Sequence, residues 1–288
     1  MSTSRLYRRD VPLGKRLGEM KRWPVARAVN PVADEPFVDV ASAPSAVPDL
    51  LTLEPPRSDP DRPPDVIFIR HAEACHNAAF RDGNNDFRAY LRPDLRDAVL
   101  TPAGAELALL RGRQFRVKYP RWKAAVVYSS PLRRALQTAG YFSDGAGDDG
   151  GESGAEVIVV DDALAERQGQ HLVNWRLPLA ALSSLRFGAR HTHHVARSSP
   201  DMPERAPFDA ESRESLRALR ERGRAWVVGK RRQCVGDGVD TRTSRREAGA
   251  QERICKARHL LVFTHWMWLA AVVGVDAAPC DVIPTWWA

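Results

Sequence analysis

Four short apolar runs, separated by segments of helical character, constrain the fold of this 288-residue chain more than any other feature. An apolar run of this length fits a strand that is buried on both faces of a sheet. Strands that alternate with helices indicate a mostly parallel sheet with helices on both sides. The sequence therefore predicts an α/β fold, a three-layer α/β/α sandwich. The predicted strands are Val66–Ile69, Ala124–Ser130, Val157–Val160 and Leu260–His265.

Helix signals lie between these strands. Thr101 followed by Pro102 has the form of an N-cap with proline at the first helical position. Pro131 stands in the same way at the opening of the next helical segment. The predicted helices run from Thr101 to about Lys118, from Pro131 to Tyr141, from Ser212 to about Arg232 and from Trp268 to Val273.

Reactive side chains follow the predicted strands. Arg70 and His71 follow the first strand, Arg134 the second and Glu166 the third, while His265 ends the fourth. The carboxyl ends of parallel strands meet at one edge of the sheet, where ligands bind. A guanidinium can hold two phosphate oxygens, and an imidazole with a pKa of about 6.5 is partly neutral and nucleophilic at cell pH. The pattern predicts a pocket for a dianionic phosphoryl group beside a proton donor.

The motifs around these residues resemble those of the histidine phosphatase superfamily, which also contains the cofactor-dependent phosphoglycerate mutases. Arg70-His71-Ala72-Glu73 resembles the Arg-His-Gly-Glu that opens the family's domain, with alanine in place of glycine. The resemblance extends from about Asp65 to Gly274, with every motif in the family's order. The further motifs are Asp97–Gly104, Ser129–Ala139, Leu164–Gly169 and the strand that ends in His265.

The resemblance implies a phosphoglycerate mutase-like fold and catalysis through a phosphohistidine. By position in the motifs, His71 is the nucleophile and Glu166 is the acid that protonates the leaving oxygen. Arg70 and Arg134 are the residues that bind phosphate oxygens. His265 would hydrogen-bond the transferring phosphoryl group and stabilise its charge. The expected activity is therefore that of a phosphatase.

Two alternatives stay open at this point. A phosphoglycerate mutase would use the same chemistry to transfer the phosphoryl group, and a catalytically weak binding or regulatory module could use the same fold. Asn77, six residues after His71, is predicted either to contact the substrate or to cap the following loop. Specificity in this family resides between Glu166 and the long helix, and this segment is compatible with sugar phosphates, nucleotides, inositol phosphates or phosphoproteins.

The resemblance implies neither a metal ion nor a cofactor, and the four cysteines form no CxxC pair. The expected partner is a small-molecule or protein phosphomonoester. Nucleic acid is not expected, because the Arg-rich region 211–258 lacks interleaved aromatic residues. A membrane partner is not expected either, since no apolar run approaches the roughly 20 residues of a bilayer span. The sequence leaves the oligomeric state open.

Three further predictions concern regions outside the motifs: the N-terminal extension, an insertion and the last strand. Residues 1–64 are rich in Pro and Arg and are predicted to form a disordered extension, followed by the phosphatase-like domain at 65–288. The expected compartment is the cytoplasm, or an organelle if residues 1–30 are a transit peptide. Residues 233–252 are predicted to form a disordered insertion. The family's further strand, beyond the helix that follows His265, is predicted to be missing or altered.

Overall fold

A computed structural model of the chain describes residues 46–120, 126–146, 157–183, 194–199, 202–203, 213–235 and 259–288. Most of the predicted N-terminal extension, including the possible transit peptide, lies outside these ranges. So do residues 236–252 of the predicted insertion.

Within the described ranges, the strands form one seven-stranded sheet in the order β1-β7-β2-β6-β3-β4-β5. Five neighbouring strands, β2, β6, β3, β4 and β5, pair in parallel. The strand β7 is antiparallel to both of its neighbours, β1 and β2. The strands are β1 Leu51–Thr52, β2 Val66–Arg70, β3 Val126–Ser129, β4 Val157–Val160, β5 His194–Arg197, β6 Leu260–Thr264 and β7 Val282–Trp287.

The helix after Thr101 begins where the sequence signal indicates, whereas the helices predicted to start at Pro131, Ser212 and Trp268 start at Arg133, Leu216 and Trp266. Thr101 caps the second helix, because its hydroxyl oxygen accepts a hydrogen bond from Gly104 N at 3.0 Å. The α-helices are α1 Cys75–Asp82, α2 Pro102–Lys118, α3 Arg133–Ala146, α4 Leu179–Ser183, α5 Leu216–Val235 and α6 Trp266–Trp268, which continues as a π-helical turn over Leu269–Val273. Short 3₁₀-helical turns lie at Phe87–Leu91, Pro93–Leu95, Asp162–Leu164 and Leu172–Asn174.

The central strands are apolar on both faces because both faces are covered. Val66 and Phe68 of β2 lie in a core that includes Trp226 of α5. Ile67 and Ile69 point to the opposite face. They lie in a second core with Phe115 of α2 and Phe142 of α3. This confirms the predicted three-layer sandwich with a mostly parallel sheet.

The predicted domain boundary at residue 64 is wrong. Val47, Leu50 and Leu51 are buried in the first core, and β1 pairs with the end of β7. Trp286 Nε1 also donates to the carbonyl oxygen of Arg62 at 3.0 Å. The high content of Pro and charged residues concealed three apolar side chains that fill the edge of the sheet. Residues 46–64 are therefore part of the folded domain.

The prediction that the last strand is missing or altered is also wrong, because β7 fills that position. Pro284 obscured the strand, since proline cannot donate a ladder hydrogen bond. Trp287 N points toward β2 and donates to Asp65 Oδ2, whereas Ala288 N points toward β1 and donates to Leu50 O. By this alternation the nitrogen of Pro284 faces the β1 side of the strand. Since β1 contributes only two residues and ends before this point, no donor is needed there.

The predicted insertion begins later than expected. The long helix was predicted to end near Arg232, but α5 continues through Val235. Residues 233–235 are therefore helical. The prediction of disorder for residues 236–252 falls outside the described part of the chain.

Candidate active site

His71 lies directly after β2, at the carboxyl end of the sheet, with only 3% of its surface exposed. Its backbone N–H donates to Thr264 O at 2.9 Å, which ties the residue to the end of β6. Its Nδ1 lies 2.7 Å from Ala72 O. Because a carbonyl oxygen only accepts, Nδ1 carries the proton and Nε2 keeps its lone pair. Burial, followed by the charges of Arg134 and Arg70, lowers the pKa of His71 well below its ordinary value, so the ring is neutral.

Arg134, in the first turn of α3, is 1% exposed and lies against Nε2 of this imidazole. Its Nε lies 3.3 Å from His71 Nε2. Its other two nitrogens donate to Val173 O at 2.7 Å and to Asn174 Oδ1 at 2.9 Å. Burial lowers the pKa of Arg134 to about 10, which still leaves it charged at neutral pH. Sequence reasoning did not identify Asn174, which stands in no motif.

Arg70, the last residue of β2, supplies a second, partly buried cation. Its Nη1 donates to Ala277 O at 2.6 Å, in the segment that leads to β7. Burial lowers the pKa of Arg70, whereas the carboxylate of Glu166 raises it. The Nε of Arg70 is buried and has no hydrogen-bond partner within the described part of the chain. Arg70 therefore retains a donor that an anion could use.

His265 follows β6 and is fully buried, with its ring centroid 5.0 Å from that of His71. Its Nε2 lies 2.7 Å from Ser130 Oγ at the end of β3. Its Nδ1 has no partner in the described ranges. Burial, with the charge of Arg134, lowers the pKa of His265 well below its ordinary value. The parallel pairing of β2, β6 and β3 thus brings two of the predicted imidazoles together.

Glu166 lies in the loop that follows β4 and the Asp162–Leu164 turn. Its Oε1 accepts from Arg167 N at 3.0 Å, and its Oε2 accepts from Met267 N at 3.4 Å. Burial raises its pKa, and these N–H groups and the charges of Arg134 and Arg70 oppose that rise. A carboxyl group with a raised pKa is suited to donate a proton near neutral pH.

The loop that carries Glu166 is held by an ion pair from α5 and the residues before it. Arg222 Nη1 donates to Ala163 O at 2.7 Å, and its Nη2 donates to Ala165 O at 3.2 Å. Arg222 Nε binds Glu214 Oε1 at 2.8 Å, while Glu214 Oε2 accepts from Gln168 N at 3.0 Å. Main-chain groups on both sides of Glu166 are therefore fixed by two buried or partly buried side chains.

A third imidazole, which sequence reasoning missed, lies beside the other two. His76 of α1 is 3% exposed, and its ring centroid is 6.0 Å from that of His71. Burial and the charges of Arg134 and Arg70 lower the pKa of His76 well below its ordinary value. Its Nδ1 is buried and has no partner among the described residues. Its place in the helix that directly follows His71 was the signal that could have identified it.

Asn77 is the next residue of α1, and its side chain is engaged within the protein. Its Oδ1 accepts from Ala74 N at 3.0 Å, which caps the start of the helix. Burial raises the pKa of the Tyr90 phenol, and the Asn77 side chain has a smaller effect that lowers it. The bond to Ala74 N corresponds to the capping role that the sequence left open, and the substrate contact stays a prediction.

In the described part of the chain, no three His, Cys, Asp or Glu side chains are arranged to hold a metal ion. None of its helices has both the length and the apolar character that a bilayer crossing requires.

Comparison with known proteins gives one extended match and several distant ones. The sequence profile of the histidine phosphatase superfamily (branch 1) matches residues 66–239. Phosphoglycerate mutase-like protein 1 from Arabidopsis thaliana is 35% identical over 74 residues, which are 26% of this chain and 25% of that protein. A second phosphoglycerate mutase-like protein from the same plant is 31% identical over 102 residues, 35% of this chain and 36% of that protein. The alignments thus span about a quarter and about a third of these relatives.

Solved structures with a similar chain path are more distant in sequence. The ecdysone phosphate phosphatase from Bombix mori is 17% identical, with a TM-score of 0.45, over 75% of this chain and 86% of that one. A phosphoglycerate mutase from Bacillus anthracis is 14% identical, with a TM-score of 0.38, over 75% of this chain and 85% of that one.

Proposed function

The chain belongs to the histidine phosphatase superfamily, and from that membership we propose that it hydrolyses phosphomonoesters through a phosphohistidine on His71. The observation that carries the proposal is the state of His71. Its Nδ1 donates to Ala72 O, its pKa is lowered by burial, and its Nε2 faces the guanidinium of Arg134. A neutral imidazole with a fixed tautomer is prepared to attack phosphorus.

In the first step, His71 Nε2 attacks phosphorus and the bond from phosphorus to the alcohol oxygen breaks. Glu166 donates its proton to that oxygen, so the alcohol leaves in neutral form. Arg70, Arg134 and His265 stabilise the charge on the remaining phosphoryl oxygens. The buried nitrogens that have no partner in the described ranges, Arg70 Nε and His265 Nδ1, supply donors for this purpose.

In the second step, the Glu166 carboxylate accepts a proton from water as the water oxygen attacks phosphorus. The bond between phosphorus and Nε2 breaks, which releases inorganic phosphate and restores neutral His71. Glu166 ends the cycle protonated, as it began. The same residue therefore acts as acid and then as base, which requires a pKa near the working pH.

Release of phosphate from 4-nitrophenyl phosphate by the wild type and by His71→Ala tests this proposal. We expect His71→Ala to abolish turnover while the protein stays folded. His259→Ala is the matched control, because His259 precedes β6 at the opposite end from His265. Turnover that survives His71→Ala would exclude the phosphohistidine. A requirement for an added acceptor alcohol would favour phosphoryl transfer of the mutase kind.

A further inference from the structure

A row of aromatic rings leads away from the proposed nucleophile. The ring centroid of His76 is 6.0 Å from that of His71 and 5.5 Å from that of Tyr90. Tyr90 in turn lies 5.5 Å from His171 and stacks on Phe87 at 5.9 Å. None of these five rings belongs to the core clusters on either face of the sheet. They form a separate structure beside the phosphate-binding residues, which we term the aromatic row.

Tyr90 continues the aromatic row outward from the proposed nucleophile. Its ring centroid is 5.5 Å from that of His76, which in turn is 6.0 Å from that of His71. Burial raises the pKa of its phenol, and the charges of Arg70, Arg134 and Glu166 also act on it. A row of rings that starts beside the imidazole proposed to attack phosphorus and leads outward is placed to contact the alcohol half of a bound phosphomonoester.

The rings of the aromatic row are uncharged and partly exposed. Phe87, Tyr90 and His171 are each only partly buried. Phe87 and Tyr90 stack, whereas Tyr90 meets His76 edge-on and His171 at a tilt. Burial lowers the pKa of both His76 and His171, which keeps these rings neutral at physiological pH. Aromatic faces and edges of this kind favour contact with another ring.

The cations near the outer end of the row have partners of their own. Arg167 and Arg213 act electrostatically on His171. Arg167 Nε donates to Glu214 O at 2.7 Å, and Arg213 Nη2 donates to Gln170 Oε1 at 2.7 Å. At the inner end, the Nδ1 of His76 is buried with no partner in the described part of the chain, so a polar edge is present as well.

We propose that the aromatic row binds the alcohol half of the substrate, and that the natural substrates are phosphomonoesters of alcohols that carry an aromatic ring system. This inference rests on the proposed phosphatase function, because it concerns the same site. Tyr90 and His171 contact the substrate ring, and His76 hydrogen-bonds the substrate near the ester oxygen. Each ring-to-ring contact contributes about 2- to 12-fold to affinity.

The test compares 2-naphthyl phosphate with phenyl phosphate, because the two phenols are similar in acidity and differ by one ring. We expect the wild type to show a kcat/KM at least about 10-fold higher for 2-naphthyl phosphate. Tyr90→Leu and His171→Ala should each reduce that ratio by about 2- to 12-fold. The inhibition constant of inorganic phosphate should not change. Tyr119→Leu, at the end of α2, is the aromatic control.

Calorimetry on His71→Ala separates this inference from the proposed function, because a variant without the nucleophile can bind both esters without turnover. We expect it to bind 2-naphthyl phosphate about 10-fold more tightly than phenyl phosphate. Equal affinity for the two esters would overturn the proposal that the aromatic row binds the substrate ring. A preference that persists in both Tyr90→Leu and His171→Ala would overturn it as well. Turnover that persists in His71→Ala would instead overturn the proposed function and leave the binding preference standing.

Discussion

The two halves of the candidate site are held in different ways. His71 and His265 lie in the half that we propose binds phosphate, here the phosphate-binding half. They directly follow strands of the sheet, and main-chain bonds such as His71 N to Thr264 O fix them. Glu166, in the acid half, lies in a loop whose carbonyl groups are bound by the side chain of Arg222. The position of the first half follows from strand pairing, whereas that of the second depends on a few side chains from a distant helix.

This difference has a chemical consequence. Under the proposed function, the phosphate-binding half would stabilise charge on the phosphoryl oxygens, and every substrate shares that charge. The acid half would act on the leaving oxygen, whose need for a proton varies with the alcohol. Substitutions in the two halves should therefore be distinguishable by how strongly the loss of activity depends on the leaving group of the substrate.

The largest effect is expected from Glu166→Gln on alkyl phosphates. Loss of a general acid should reduce kcat by about 10²- to 10⁴-fold, because an alkoxide is a poor leaving group without a proton. The same change should affect 4-nitrophenyl phosphate far less. Rates for benzyl phosphate and 4-nitrophenyl phosphate measure the difference. Equal losses on both esters would refute the assignment of Glu166 as the acid.

Arg134→Ala should show the opposite dependence on substrate. Removing a buried donor to the phosphoryl oxygens is expected to cost about 10²- to 10³-fold in kcat/KM on both esters alike. Arg134→Lys should recover little, since Arg134 uses three nitrogens toward His71, Val173 and Asn174. A loss confined to benzyl phosphate would contradict the separation of the two halves.

Arg222→Ala tests whether the loop of Glu166 depends on α5. Without Arg222 the carbonyl groups of Ala163 and Ala165 lose a donor, so Glu166 should move from its productive position. We expect about a 10-fold loss on benzyl phosphate and little change on 4-nitrophenyl phosphate.

The exposed Arg217→Ala, which breaks only a surface pair with Glu221 on the same helix, is the control for this loss. Arg222→Lys keeps the charge opposite Glu214 if the alanine variant is unstable. A uniform loss on both esters in Arg222→Lys would mean that Arg222 supports the fold rather than Glu166.

The smallest expected effect is on stability at low pH. Burial lowers the pKa values of His71, His76 and His265. Below pH 6.5 these imidazoles are therefore protonated in the unfolded chain but remain neutral in the folded chain. For each such imidazole, the free energy of unfolding should decrease by up to about 1.4 kcal/mol for each unit by which the pH is lowered. Stability is retained above pH 6.5 and lost as pH decreases. The raised pKa of Glu166 acts in the opposite direction.

Urea unfolding of the wild type and of His76→Gln at several pH values measures this slope. We expect a shallower dependence in the variant, because one buried imidazole has been removed. An unchanged slope would show that His76 does not resist protonation in the folded state.

The sequence was most informative for residues whose position is fixed by the pairing of strands in the sheet. Apolar runs followed by Arg70, His71 and His265 predicted both the parallel sheet and the residues at its edge. The prolines near residue 60 concealed β1, and Pro284 concealed β7. A proline is tolerated in a strand on the side that has no neighbouring strand, but composition does not reveal which side that is. Contacts made by side chains far apart in sequence left no local pattern. Asn174 and Arg222 belong to this class.

The most direct test of the central claim is capture of the phosphoenzyme. The wild type is mixed with 4-nitrophenyl phosphate, quenched within milliseconds in alkali, and digested for mass spectrometry. We predict a phosphate that is stable to alkali, labile to acid and located on His71. Label on another residue, or rapid turnover with no label on His71, would contradict the account.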